Sequence, residues 1–281
     1  MKTGLVLEGG AMRGMYTAGV LDIFLDHHIL VDCAVGVSAG ALFGVNYLSG
    51  QKGRVIRYSK RFNPDKNYLG ILPLLNEGNI VSTKYAYEEV PRKLDPFDDE
   101  SYKKSGIPFY AVATNIETAN PEYMQIKSVF TQMDMLRASG SMPFVSQPVE
   151  INGQKYLDGA ISDSIPFEWL LNQGCEKLIV VLTRDINYRK KPMSPALIKL
   201  YARKYPQIAK RLLERHTLYN HSVEKLLQLE KAEKAFVIRP SKPIEIGRIE
   251  KNPAKLQKVY ELGLSDANTN LMKLQDFLRQ L

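Results

Sequence analysis

Two short apolar runs, residues 3–7 and 33–36, each break into a glycine-rich turn, and between them Val20, Leu21, Phe24 and Leu25 recur at helical spacing. Strand, helix and strand in that order make a βαβ unit, whose strands lie parallel because the connection is far too long for a hairpin. The chain is thereby committed to an α/β fold. Strand-like runs return at 109–114, 123–126 and 178–182, a hairpin turn falls at Asn152-Gly153, and helices are predicted over 132–139 and 166–173. Beyond Arg184 the pattern becomes helical, 195 to about 230 and 253–281, around one strand-like run at 235–239, and Pro206 is expected to kink or interrupt the first of these helices. Hydrophobic residues make up 44% and charged ones 24% of the 281, which excludes a disordered, collagen-like or coiled-coil chain.

The second turn is Gly36-Val37-Ser38-Ala39-Gly40, a G-x-S-x-G sequence after an apolar strand and before a small-residue helix. That is the context of a nucleophile elbow: a turn so tight that its flanks cannot carry bulk, with the serine Oγ raised at a helix N-terminus, where the dipole favours developing negative charge. Read without its flanks, the same pentapeptide is only a serine in a glycine-rich turn.

A serine nucleophile needs a base. None of the four histidines is well placed: His27 and His28 end the first helix, away from the strand C-termini where βα turns build sites, and His216 and His221 read as surface residues of the helical region. A carboxylate is the alternative, and Asp158 stands out in Tyr156-Leu157-Asp158-Gly159-Ala160, although an aspartate before glycine is more often a turn former. Gly9-Gly10-Ala11-Met12-Arg13-Gly14, between the first strand and helix, offers a row of backbone N–H groups able to act as an anion nest or an oxyanion hole. As a dinucleotide fingerprint it fails, because its third position is Ala11 and no ribose-binding acid ends the second strand. Arg13 reads equally as a phosphate contact and as a solvent-facing partner of an acid. No ligand cluster appears, so neither metal nor cofactor is expected.

Taken together, the glycine-rich loop, the G-x-S-x-G serine and Asp158-Gly159-Ala160, in that order, resemble the patatin-like phospholipase family. The stretch from Leu136 to Phe144 and the hairpin of 149–166 add to the resemblance, which covers residues 3–183. It implies a three-layer α/β/α fold with a mainly parallel central sheet and, here, a helical C-terminal extension. It also implies Ser38 as nucleophile, Asp158 as its partner in a Ser-Asp dyad, an oxyanion hole from the amides of Gly9, Gly10, Ala11 and Met12, and structural roles for the motif glycines Gly14, Gly36, Gly40 and Gly159. A dyad accounts for the missing histidine. The chain departs from the family with Glu8 in place of Asp, Ala11 in place of Gly, and Asp163-Ser164-Ile165-Pro166 in place of Asn-x-Pro. The implied activity is hydrolysis of carboxylic esters of phospholipids or lysophospholipids through an acyl-enzyme. Acyl transfer to another alcohol and non-catalytic lipid binding are the alternatives.

On this reading residues 1–183 are the catalytic domain, 51–107 an insertion or cap, and 184–281 a basic region packed on or appended to the body. Tyr68 to Leu75 and the pair Tyr85 and Tyr87, all within the insertion, either line an acyl pocket or pack the insertion onto the body. The net charge of +8 divides into −3 for residues 1–183 and +11 for 184–281, which places the positive excess away from the expected chemistry. No zinc or RNP-like module accompanies it, so nucleic acid is not an expected partner. A lipid or acyl-ester substrate is expected, and the basic amphipathic segment with Leu197, Tyr201, Tyr205, Ile208 and Leu212 either contacts an anionic membrane or packs on its own protein. Cys33 and Cys175 read as buried core thiols of a reducing compartment, and no signal peptide is evident, so a cytoplasmic protein, in peripheral contact with the inner membrane surface where the basic segment docks, is the expectation. Oligomeric state is not legible.

Overall fold

The computed structural model describes residues 1–279. Strands β1 (Thr3–Leu7), β2 (Cys33–Val37), β3 (Phe109–Asn115), β4 (Pro121–Ile126), β5 (Val149–Ile151), β6 (Gln154–Asp158), β7 (Lys177–Val181) and β8 (Ala235–Ile238) form one sheet, ordered β5-β6-β3-β2-β1-β7-β8, with β4 also paired to β3. Pairings among β1, β2, β3, β7 and β8 are parallel, and those of β4, β5 and β6 are antiparallel. β1, β2 and β7 are buried along their whole length, which is why they read as unbroken apolar runs.

The period-2 alternation of these strands builds a core on each face of the sheet. On one side Leu5, Leu7, Ala34, Ile179 and Val181 pack under α1 (Met15–Asp26), α2 (Ala39–Leu48) and α10 (Pro253–Arg279). On the other, Val6, Val35, Leu178 and Val180 pack under α7 (Phe167–Asn172) and α9 (Pro206–Lys231). The result is a three-layer α/β/α arrangement with a helical C-terminal extension laid against it.

That extension is fitted closely. A Cβ on Gly19 of α1 would lie 2.2 Å from the Tyr260 carbonyl, and one on Gly263 of α10 would lie 2.1 Å from the Tyr16 carbonyl, so the two helix backbones touch. Tyr260 Oη also donates to Asp22 at 2.7 Å. The single helix expected from 195 is two, α8 (Pro195–Ala202) and α9, and Pro206 opens α9 in its first turn, where a missing N–H leaves nothing unpaired. Ile198, Ile208 and Leu212 are buried against Ile116, Leu157 and Ile161, so this apolar stripe packs on its own protein, while Leu197 and Leu200 stay exposed.

Residues 51–107 fold into α3 (Arg54–Phe62), α4 (Ile71–Glu77), a π-helix (Tyr85–Leu94) and α5 (Asp99–Lys104). They are tied down by the buried Arg54, which pairs with Asp95 at 3.1 Å and donates to Asn46 Oδ1 at 2.8 Å. Cys33 and Cys175 are both buried free thiols. Among the described residues no helix is long and apolar enough to cross a membrane.

Candidate active site

β2 ends at Val37, opposite Val112 of β3, and the next residue of β3, Ala113, pairs with Asp158 at the end of β6. Two residues distant in sequence thus arrive at one level of the sheet, and Ser38 Oγ donates to Asp158 Oδ2 at 2.8 Å. Both are buried.

The turn that carries Ser38 is demanding. Ser38 sits at φ 54, ψ −120, a conformation that a side chain rarely adopts and that persists only where the surroundings enforce it. The enforcement is close backbone packing: a Cβ on Gly36 would lie 2.6 Å from the Gly40 carbonyl, and one on Gly40 would lie 2.3 Å from the Leu7 carbonyl. The Ser38 N–H donates to Ser139 Oγ at 2.9 Å, and Ser139 is fully buried.

Asp158 is held as firmly. Its N–H donates to the Ser141 carbonyl at 2.8 Å, its carbonyl accepts from Thr114 Oγ1 at 2.9 Å, and its Oδ1 accepts from the Ala160 N–H at 2.8 Å. The turn needs Gly159, where a Cβ would meet the Val112 carbonyl at 2.2 Å. Burial raises the Asp158 carboxyl above its ordinary range, and the Ala160 N–H, the Ser38 hydroxyl and the positive charges of Arg215 and Arg248 oppose that rise.

The glycine-rich loop faces this pair. A Cβ on Gly9 would lie 3.0 Å from Ser38 Cβ, one on Gly10 would strike Thr183, and one on Gly14 would strike Ala39 and Phe43. Ala11 adopts φ 47 despite its side chain, so the backbone shape that glycine would favour there is kept. The N–H groups of Gly9, Gly10 and Ala11 have no protein acceptor among the described residues, whereas that of Met12 is directed at the Arg248 carbonyl, 3.4 Å away. Of the four expected oxyanion donors, Met12 is therefore partly committed elsewhere. Glu8 anchors the loop from beneath, accepting from the Thr183 N–H at 2.6 Å and from Tyr219 Oη at 2.8 Å. A glutamate reaches helix α9 from this position.

Two cavities meet at Ser38. The first, about 150 Å³, is apolar and includes Met12, Leu42, Phe43, Tyr58, Leu69 and Tyr87. Tyr68 and Leu69 belong to its wall, while Ile71 and Leu75 from the same apolar stretch are exposed and Tyr85 packs on Phe62 and Tyr68. The second, about 560 Å³, holds Asp158 together with Arg13, Arg184, Lys190, Arg215 and Arg248. This corrects the expectation that the positive excess lies away from the chemistry. The fold returns α9 and the loops at residues 184–190 and 248 to the C-terminal end of the sheet, which no count along the chain can show. His216, at the surface, also lines the rim of this cavity, and its ring nitrogens face Leu213 O and Thr217 Oγ1, not Ser38. His28 and His221 are exposed. Among the described residues Arg13 has no acidic partner in an ion pair, against one of its two expected readings. Asp163, in the place of the family's Asn, accepts from Tyr123 Oη at 2.7 Å and from the Ile165 N–H at 3.2 Å. Among the described residues no group of His, Cys, Asp and Glu is arranged to hold a metal.

Sequence reasoning did not single out Ser139, Thr183, Tyr219, Arg215 or Arg248. Ser139 stood in a noted motif, and Arg215 among the cations of the basic amphipathic segment, neither with a role in the site; the others carry no local signal, because each reaches the site from far along the chain.

The sequence model of the family described as "Patatin-like phospholipase" matches residues 5–171, and one described as "Domain of unknown function (DUF6363)" matches residues 205–279. The Escherichia coli (strain K12) protein described as "Uncharacterized protein YjjU" is 31% identical over 186 residues, 65% of this chain and 52% of that one. "Lysophospholipase NTE1" of Saccharomyces cerevisiae is 29% identical over 185 residues, 63% of this chain and 10% of its own. "Neuropathy target esterase sws" of Drosophila melanogaster is 27% identical over 180 residues, 63% of this chain and 12% of its own. The match thus spans about half of the bacterial relative and about a tenth of the two eukaryotic ones.

Proposed function

The chain belongs to the patatin-like phospholipase family, and we propose that it is a serine acyl hydrolase that cleaves carboxylic esters of phospholipids or lysophospholipids through a Ser38-Asp158 dyad. The observation that carries this reading is the 2.8 Å hydrogen bond from Ser38 Oγ to Asp158 Oδ2 at the junction of an apolar and a polar cavity. Asp158 accepts the Ser38 proton as Oγ attacks the ester carbonyl. The tetrahedral oxyanion takes hydrogen bonds from the free N–H groups of Gly10 and Ala11, which are already in place and need no reorganisation. As the intermediate collapses the C–O bond breaks and the proton passes from Asp158 to the leaving alkoxide, leaving Ser38 acylated. Water, deprotonated by Asp158, attacks the acyl-enzyme; the bond from the acyl carbon to Oγ then breaks, Asp158 returns the proton to Oγ, and the fatty acid leaves.

The acyl chain occupies the apolar cavity, to which the π-helix contributes Ala86, Tyr87, Val90 and Pro91. The protein meets its lipid at an anionic membrane surface through α8, where Leu197 and Leu200 are 49% and 66% exposed beside the exposed Lys199, Arg203 and Lys204.

A panel of phospholipids and lysophospholipids incubated with wild type, Ser38→Ala and Asp158→Asn tests the assignment. Hydrolysis by the wild type alone is expected, with fluorophosphonate labelling at Ser38. Hydrolysis by Ser38→Ala at the wild-type rate overturns it. Adding acceptor alcohols while following product identity separates hydrolysis from acyl transfer.

A further inference from the structure

The polar cavity beside Ser38 is lined by seven Lys and Arg side chains, against the two acids Glu8 and Asp158. Both acids are already engaged, Glu8 by Thr183 and Tyr219 and Asp158 by Ser38 and the Ala160 N–H. Five of the cations, Arg13, Arg184, Lys190, Arg215 and Arg248, face one another closely enough to interact, and none of the five forms an ion pair with a described residue. Arg13 Nε is buried without a hydrogen-bond partner among the described residues. The only side-chain hydrogen bond Arg215 makes among the described residues is from Nε to the Ala160 carbonyl, so its terminal nitrogens remain available.

Crowding like charges into a partly dry cavity is costly unless an anion joins them. The charges respond accordingly: burial and the nearby Arg184 and Arg248 push Arg13 down to about 10, and burial with Arg215, Arg248 and Arg184 pushes Lys190 well below an ordinary lysine, with Glu8 offsetting only part of either shift. Four of the five lie beyond residue 171, outside the segment that matches the family.

We infer that this cavity binds the phosphate of the substrate's headgroup, and that the preferred substrate carries a headgroup with net negative charge, held by Arg13, Arg184, Arg215 and Arg248 while Ser38 attacks the acyl ester. The inference rests on the hydrolase reading above. Guanidinium groups suit the site because their planar donors match phosphate oxygens in pairs. A zwitterionic choline headgroup fits poorly. Its quaternary ammonium needs open aromatic faces, whereas the Tyr188 and Tyr219 rings are already covered by Arg184 and Lys190, each 4.1 Å from the ring centroid, and Phe144 packs on Tyr201 with ring centroids 4.5 Å apart.

The test has two arms. In the first, kcat/KM is measured below the critical micelle concentration for 1-acylglycerol 3-phosphate, 1-acylglycerophosphocholine and monoacylglycerol. The wild type is expected to prefer the phosphate monoester by about tenfold or more at low salt, and Arg184→Gln and Arg248→Gln, singly, to shrink that preference to about threefold or less. In the second arm, glycerol 3-phosphate and inorganic phosphate are titrated calorimetrically into the Ser38→Ala protein, with and without each Arg→Gln change, and folding is checked by melting temperature. Binding of glycerol 3-phosphate that weakens with salt and with either substitution supports the headgroup site. Equal binding of both ligands without any substrate preference assigns a free-phosphate site and overturns it, as does absence of binding. Because binding is read on Ser38→Ala, failure of the hydrolase reading leaves this arm intact, and an active enzyme without headgroup preference sinks the present inference alone.

Discussion

The Ser139 hydroxyl accepts the N–H of Ser38 at 2.9 Å, so the strained residue that presents the proposed nucleophile is pinned by a fully buried side chain of α6 (Met133–Ser139). Ser139→Ala leaves that N–H without a partner in a dry site, where an unmade hydrogen bond costs about 1–3 kcal/mol. Thermal melts are expected to show that loss, and kcat on a soluble ester is expected to fall about tenfold with KM little changed, since the residue positions Ser38 and does not touch substrate. Unchanged kcat and melting temperature would show that the elbow holds itself.

Asp158 gives a prediction in which activity and stability move oppositely. Burial raises its carboxyl, so the folded protein takes up its proton at a higher pH than the unfolded chain does. Its contribution to stability therefore grows as pH falls through the raised folded pKa, and at neutral pH the buried charge is a burden. Asp158→Asn is expected to melt higher than wild type near neutral pH, with the difference vanishing below the ordinary carboxylate range. Its kcat is expected to drop by about 1,000-fold or more, because Asn cannot take the Ser38 proton.

The same linkage sets the pH profile. With an ionised Asp158 required as base, the acid limb of kcat/KM on a neutral ester is expected above the ordinary carboxylate range. Arg215 opposes the rise, so Arg215→Met is expected to shift that limb to still higher pH. A shift to lower pH, or none, would mean that Arg215 acts only through its hydrogen bond to Ala160.

Gly40 has no room to grow. A methyl there would meet the Leu7 carbonyl at 2.3 Å, and helix α2 cannot retreat without moving Ser38. Gly40→Ala is expected to cost about 1–3 kcal/mol in denaturant unfolding, as overpacking does, and to abolish fluorophosphonate labelling of Ser38 in the fraction that folds.

Membrane contact is tested on α8. Each of Leu197 and Leu200 is expected to contribute about 1.5–3 kcal/mol if fully buried in lipid. Leu197→Glu with Leu200→Glu should therefore lower partitioning onto vesicles containing anionic phosphatidylglycerol by at least about tenfold. Sedimentation that is equal for wild type and the double variant would place the lipid-facing surface elsewhere.

What the sequence determined by itself was set by local rules. Apolar runs ending in glycine fixed β1 and β2 as buried strands with tight turns after them, because only glycine fits where backbone meets backbone at Gly36 and Gly40. The order of loop, serine and aspartate was also readable, and the absence of a suitably placed histidine pointed to a carboxylate. Register decided the rest. Only the pairing of β3 with both β2 and β6 brings Ser38 to Asp158, and only the packing of α10 on α1 and of α9 beneath the sheet carries Arg215 and Arg248 to the same place. A tail of net +11 looks remote when charge is summed along the chain, yet six of its Lys and Arg side chains line the cavity beside the serine. Charges act through space, and their neighbours in space are set by tertiary packing.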